Sequence, residues 1–180
     1  MRRAAPSRSA SRGSALLEFA IVLPLLVVFI VGIYDFSAAY NQKLKMEHAA
    51  HEGALAAVGQ PTGDEDAPNP DSLQPAVEVV FNALASKGVL PLGNQGSCKT
   101  PVVGTPNGGV SWTYTISGCP DDLVITIDRG VYSAPAVATA VTVSFPYHWR
   151  FNSVIQLLVP GASYAATTNL QQTATVHNQM

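Results

Sequence analysis

The chain has 180 residues, of which 47% are hydrophobic and only 12% charged, against roughly 25% charged in a typical soluble domain. That balance excludes a disordered polyelectrolyte, a charge-laced coiled coil and a nucleic-acid binder with a broad basic face. The net charge of −2 hides a split: Arg2, Arg3, Arg8 and Arg12 precede Gly13, whereas the remainder carries six basic and twelve acidic side chains.

Residues 1–13 read as a basic leader peptide with no acid in it. From Ser14 to Tyr34 the chain is apolar apart from Ser14 and Glu18. As a helix this run rises about 31 Å, enough to cross a bilayer core. It is apolar on every side, unlike the one-sided stripe of a surface helix. A transmembrane helix over 14–36 is therefore expected. Arginines before the span, against Lys43 and Lys45 after it, place the N-terminus in the cytoplasm and the rest outside the cytoplasmic (inner) membrane. A secretory signal cut near Ser37-Ala38-Ala39 is the competing reading. The apolar run is longer than a signal core of about 7–15 residues, and a carboxylate at Glu18 gives a signal no advantage.

Helical signals continue as an extracytoplasmic extension over 37–59, with Phe36, Tyr40, Leu44, Ala50, Ala54 and Val58 near one face. Gly59 and Pro61 stop it. A continuous helix from Ser14 to Val58 would be about 68 Å long, with a kink or loosening at Pro24. Residues 60–71 hold three prolines and the acids Asp64, Glu65, Asp66 and Asp71, and read as an acidic linker. A calcium loop would need alternating Asp-x-Asp-x-Asp-Gly, which is missing.

A domain follows over 72–180. Asp71 or Ser72 can cap a helix with the stripe Leu73, Val77, Val80 and Leu84, Pro75 in its first turn and Gly88 at its end. Trp112, Tyr114 and Ile116 alternate with threonines, Leu123, Ile125 and Ile127 with Val124, Thr126 and Asp128, and Val141, Val143, Phe145 and Tyr147 with Thr142 and Ser144. A last extended stretch covers roughly 163–176. Residues 106–109 and 119–122 read as turns. The apolar run within 151–161 is too short to span a membrane and reads as core, or as a patch meeting lipid or a partner. The fold class is thus α+β: a long N-terminal transmembrane helix, then a small extracytoplasmic domain with one amphipathic helix and an antiparallel sheet.

Cys98 and Cys119 are the only cysteines. In an exported domain they are expected to form a disulfide. Two distant thiols make no metal site, and no Cys-x-x-Cys is present.

The segment Gly13-Ser14-Ala15-Leu16-Leu17-Glu18-Phe19 resembles the processing site of type IV pilin-like proteins. The wider stretch over 12–58, including Ala49-Ala50-His51-Glu52-Gly53-Ala54, resembles the TadE-like family of minor pseudopilins of the Tad/Flp type IVb pilus system. The resemblance implies cleavage between Gly13 and Ser14 by a prepilin peptidase, and makes Glu18 the glutamate at the fifth mature position. It implies other pilins and pseudopilins, Tad inner-membrane assembly proteins and the lipid bilayer as partners. Ser14 departs from the bulky apolar residue that many prepilins carry after the cut.

Glu18 also has a physical reading. A carboxylate costs about 2–3 kcal/mol at the bilayer centre and less near an end, and one turn into a helix the dipole favours it. A new ammonium at Ser14 could neutralise it, in the same chain or in a neighbour along an assembly axis. The plainer alternative is an acid stabilising its own helix.

No enzyme is expected. His48-Ala49-Ala50-His51-Glu52 lacks both zinc-protease orders, Gly-x-Ser-x-Gly and a phosphate-binding loop are absent, and Gly108-Gly109 is a turn. Asp35-Phe36-Ser37 only superficially matches an adhesion-type metal motif, with Ala39 where a third ligand would be. No catalytic residue, cofactor, metal, nucleic acid or small-molecule substrate is assigned. The functional expectation is a TadE-like minor pseudopilin; the alternative is an uncleaved, single-pass anchored scaffold or binding protein.

Overall fold

A computed structural model describes residues 10–90, 98–100, 102–133, 136–158, 161 and 166–178. Positions 1–9 of the expected leader and 163–165 of the expected last strand lie outside them. The elements are α1 (Ala10–Val58), α2 (Gln74–Ser86), β1 (Gly104–Gly108), β2 (Ser111–Cys119), β3 (Asp121–Ser133), β4 (Ala136–His148), α3 (Phe151–Leu158) and β5 (Thr167–His177), with a 3-10 turn at Asp71–Leu73 before α2. The fold is α+β, as the sequence predicts.

The chain forms two compact units: one is Met1–Ala38 with Trp149–Ala166, the other Ala39–His148 with Thr167–Met180. In the first, α1 passes through Pro24 as helix. Its apolar side chains face outward: Leu16, Phe19, Ile21, Phe29, Ile33 and Phe36 are all more than half exposed. The helix is long and apolar enough to cross a membrane.

In the second unit, five antiparallel strands lie in the order β1-β2-β3-β4-β5. One face is apolar and closed. Tyr114 lies across from Ile125 and Ile125 from Val143, while Trp112, Ile127 and Val141 form the next row. Period-two alternation puts all of these on the same side, where they are buried with Val77, Val80 and Leu84 of α2. The other face carries a row of four cross-strand threonines, Thr113, Thr126, Thr142 and Thr173. Their hydroxyls pair at 3.0 Å (Thr113 with Thr126) and 2.8 Å (Thr142 with Thr173).

Three local expectations are corrected. First, the set Phe36, Tyr40, Leu44, Ala50, Ala54 and Val58 does not share one environment: Phe36, Tyr40 and Leu44 are exposed, whereas Ala50 and Ala54 are buried together with Ala39, Met46, Ala49 and Ala57. Around Gly53 the inward side chains are small because α2 and the sheet approach closely there. Second, Pro106–Gly108 belongs to a strand, with the reversal at Gly109–Val110. Pro106 is tolerated because β1 is an edge strand. Third, neither Asp71 nor Ser72 caps α2 with its side chain; no cap hydrogen bond of that kind forms, and α2 starts at Gln74. Gly88 ends α2 as expected, at φ +67°, with Val89 N–H donating to Leu84 O at 3.0 Å.

Candidate functional site

The head of α1 brings together the sequence-predicted residues Ser14 and Glu18. One helical turn separates them, and the Ser14 hydroxyl donates to Glu18 Oε1 at 3.1 Å. Both are exposed, as is Gly13, which has open space around its α-carbon. Glu18 is thus an acid at the start of an apolar surface, reachable from outside the chain. From Ala15 to Tyr34 no other side chain is ionisable except the Tyr34 phenol at the far end.

Further along α1, the Ala49-Ala50-His51-Glu52-Gly53-Ala54 segment divides by face. Ala49, Ala50, Gly53 and Ala54 are buried, whereas His48, His51 and Glu52 face solvent. Glu52 pairs with Lys87 at 3.0 Å; both are substantially exposed, so this pair contributes at most about 1 kcal/mol.

Cys98 and Cys119 are joined in a disulfide, with α-carbons 4.7 Å apart. Both are buried in the apolar cluster. The bond fastens the segment before β1 to the end of β2.

Two polar anchors are not apparent from local sequence. Arg129, on β3 and 4% exposed, donates to Ala57 O at 2.6 Å, Gln60 O at 2.8 Å, Pro61 O at 3.0 Å and Glu65 Oε1 at 3.1 Å. Its guanidinium satisfies carbonyls around the C-terminus of α1, where the dipole favours a cation. Asp64 is the second anchor. Its carboxylate accepts from the Ser72 hydroxyl at 2.6 Å and the Ser72 N–H at 2.8 Å. These bonds, with a smaller pull from Arg129, hold the Asp64 carboxyl below its ordinary pKa. Asp64 therefore does for the 3-10 turn what a local cap would do for a helix.

The acidic loop is held at two further points. Asn69 Oδ1 accepts from Gly104 N–H at 2.7 Å, and Trp112 Nε1–H donates to Ala67 O at 3.3 Å. Beneath the loop, burial pushes the Tyr114 phenol up to about 12, assisted by the Asp64 charge and partly opposed by Arg129. These groups form a structural clamp and bring no nucleophile and base together.

No curated protein and no solved structure matches the chain. A family match covers the apolar helix, the Ser14–Glu18 pair at its head and the small-residue face near its end: residues 13–55 match the family of TadE-like protein.

Proposed function

We propose that the chain is a minor pseudopilin that takes part in assembly of a Flp/Tad-type pilus. In this reading it is anchored by α1 in the cytoplasmic (inner) membrane, with its N-terminus in the cytoplasm and its sheet domain outside. A prepilin peptidase cuts between Gly13 and Ser14. The supporting observation is the Ser14–Glu18 pair at the head of an exposed apolar helix, within the segment that matches the TadE-like family. Cleavage would give Ser14 an α-ammonium one helical turn from the Glu18 carboxylate. That charge would offset the cost of the anion near lipid, within the chain or between neighbouring pilin helices. The partners are then the bilayer, the peptidase, other pilins and pseudopilins and Tad inner-membrane assembly proteins. No catalytic role is proposed for the chain itself.

A second reading has one observation in its favour. The Ser14 hydroxyl already partners Glu18, so the acid has a hydrogen bond without any cleavage. An uncleaved anchored scaffold would need no more. N-terminal sequencing of the protein purified from membranes tests the two. Ser14 as first residue supports the pseudopilin, an N-terminus at or near Met1 supports the anchor, and Tyr40 indicates signal peptidase. Under the first reading, Glu18→Ala stops or greatly reduces piliation; wild-type piliation by that variant overturns the role given to Glu18.

A further inference from the structure

Between β4 and β5 the chain leaves the sheet and forms α3, which belongs to the same compact unit as the apolar part of α1. Two contacts fix its start. Phe151 N–H donates to Asp35 Oδ2 at 2.9 Å, and the Phe151 ring lies 3.5 Å from where a Cβ on Gly32 would be. Asp35 is 1% exposed. A carboxylate on α1 thus satisfies one of the free N–H groups at the head of α3 and meets the positive end of its dipole.

The depth of this docking point follows from helix geometry. Gly32 lies about 27 Å along the axis from Ser14, and a hydrocarbon core is about 30 Å thick. The start of α3 is then level with the boundary between acyl chains and headgroups. Around it the surface of α1 is apolar and open, with Phe29 62%, Ile33 70% and Phe36 69% exposed.

The composition of α3 suits that level. Phe151, Val154 and Ile155, at i, i+3 and i+4, share one side, and Asn152, Ser153 and Gln156 share the other. The first three remain partly exposed. The helix has no charge, and Trp149 and Arg150 precede it, an aromatic and a cation of the kind that settle among headgroups.

We infer that α3 is seated in the membrane interface: its Phe151–Val154–Ile155 side lies in the outer leaflet beside the end of the spanning helix, while Ser153 and Gln156, both exposed, face the headgroups and water. The occupant of this apolar face is lipid, because a surface continuous with the exposed apolar side of α1 at that depth meets acyl chains. The inference rests on the reading that α1 spans a bilayer.

The test uses the full chain in phosphatidylcholine vesicles carrying bromine either near the headgroup or at mid-bilayer. With Trp112→Phe and Trp149→Phe as background, single tryptophans are placed by Leu25→Trp, Ile155→Trp or Gln156→Trp; Leu25 is exposed and lies about 16 Å along the helix from Ser14, near the bilayer centre. Shallow bromine is expected to quench the Ile155→Trp chain about twofold or more, and the Gln156→Trp chain much less. Deep bromine should quench the Leu25→Trp chain. If deep bromine quenches Leu25→Trp while Ile155→Trp is quenched no more than Gln156→Trp, the interfacial seat is wrong and the span stands. If deep bromine does not quench Leu25→Trp, the spanning reading fails and the seat falls with it. Val154→Trp replaces Ile155→Trp if the latter chain does not melt like its background.

Discussion

Gly53 on α1 faces Val80 on α2 so closely that a Cβ at Gly53 would overlap Val80 Cγ2, and would also lie 3.5 Å from Val141 Cγ1 on β4. Helix, helix and sheet meet at one missing methyl group. The small residues Ala49, Ala50, Gly53 and Ala54 in the family-matching segment thereby acquire a physical purpose. They let α1 approach α2 and the sheet more closely than larger side chains would.

Gly53→Ala therefore destabilises the domain, although alanine is favoured in a helix by about 1 kcal/mol. Val80 is β-branched and enclosed, so it cannot rotate away cheaply. A net loss of about 1–2 kcal/mol is expected, read as a lower urea midpoint at unchanged m-value.

Arg129→Met removes the donor that serves Ala57 O, Gln60 O, Pro61 O and Glu65 at once. The expected loss is about 2–4 kcal/mol, mostly from the buried carbonyls, because Glu65 is partly exposed and can rehydrate. Arg129→Lys restores little of it, since one ammonium cannot span acceptors arranged for a planar fork. Equilibrium unfolding of the three chains in one detergent checks both statements.

Acid sensitivity should trace to Asp64. Its carboxyl is held below the ordinary value of 3.8 in the folded chain, so its contribution is fully present above that value. The contribution disappears as pH falls through the lowered folded pKa. The stability difference between wild type and Asp64→Asn should be constant at mildly acidic and neutral pH and shrink at strongly acid pH. A gap that widens on acidification would contradict this.

Alkaline titration gives an independent reading of the same clamp. Tyr114 should ionise last, near 12, and Tyr114→Phe should remove that late step in absorbance at the phenolate band. Because the unfolded chain ionises this phenol near 10, stability from Tyr114 is intact below pH 10 and falls between 10 and about 12.

Replacing both cysteines, Cys98→Ser with Cys119→Ser, should lower stability by about 3 kcal/mol, as loss of a crosslink closing some twenty residues implies. Calorimetry of the oxidised and reduced wild-type chain should reproduce the shift without any substitution.

Much of this architecture was legible because its signals are local. The apolar run from Ala15 to Tyr34, the stripe Leu73-Val77-Val80-Leu84 and the alternations within β2, β3 and β4 each carry their own periodicity. Ser14 and Glu18 are one turn apart in any helix, so their pairing also follows from spacing. Arg129 was not legible: a charge on a strand reads as solvent-facing, and its acceptors lie at the end of a helix far back in the chain. Asp64 was hidden similarly, because it serves the head of another element across a proline-rich loop. The buried side of α1 was legible only in part. Ala50 and Ala54 lie on the face that spacing marks and are buried, but Phe36, Tyr40 and Leu44 on the same reading are exposed. Hydrophobic patterning favours large residues, whereas close packing near Gly53 selects the smallest.

The strand order also bears on how the sheet is made. Each strand pairs with its immediate predecessor, so a chain that emerges from its N-terminus always finds the template for the next hairpin already laid down. Only the link from β4 to β5 is more than a short hairpin turn, because it includes α3. The closing strand is therefore the one whose arrival waits on a detour, and the sheet can be zipped up from β1 to β4 before that detour is complete.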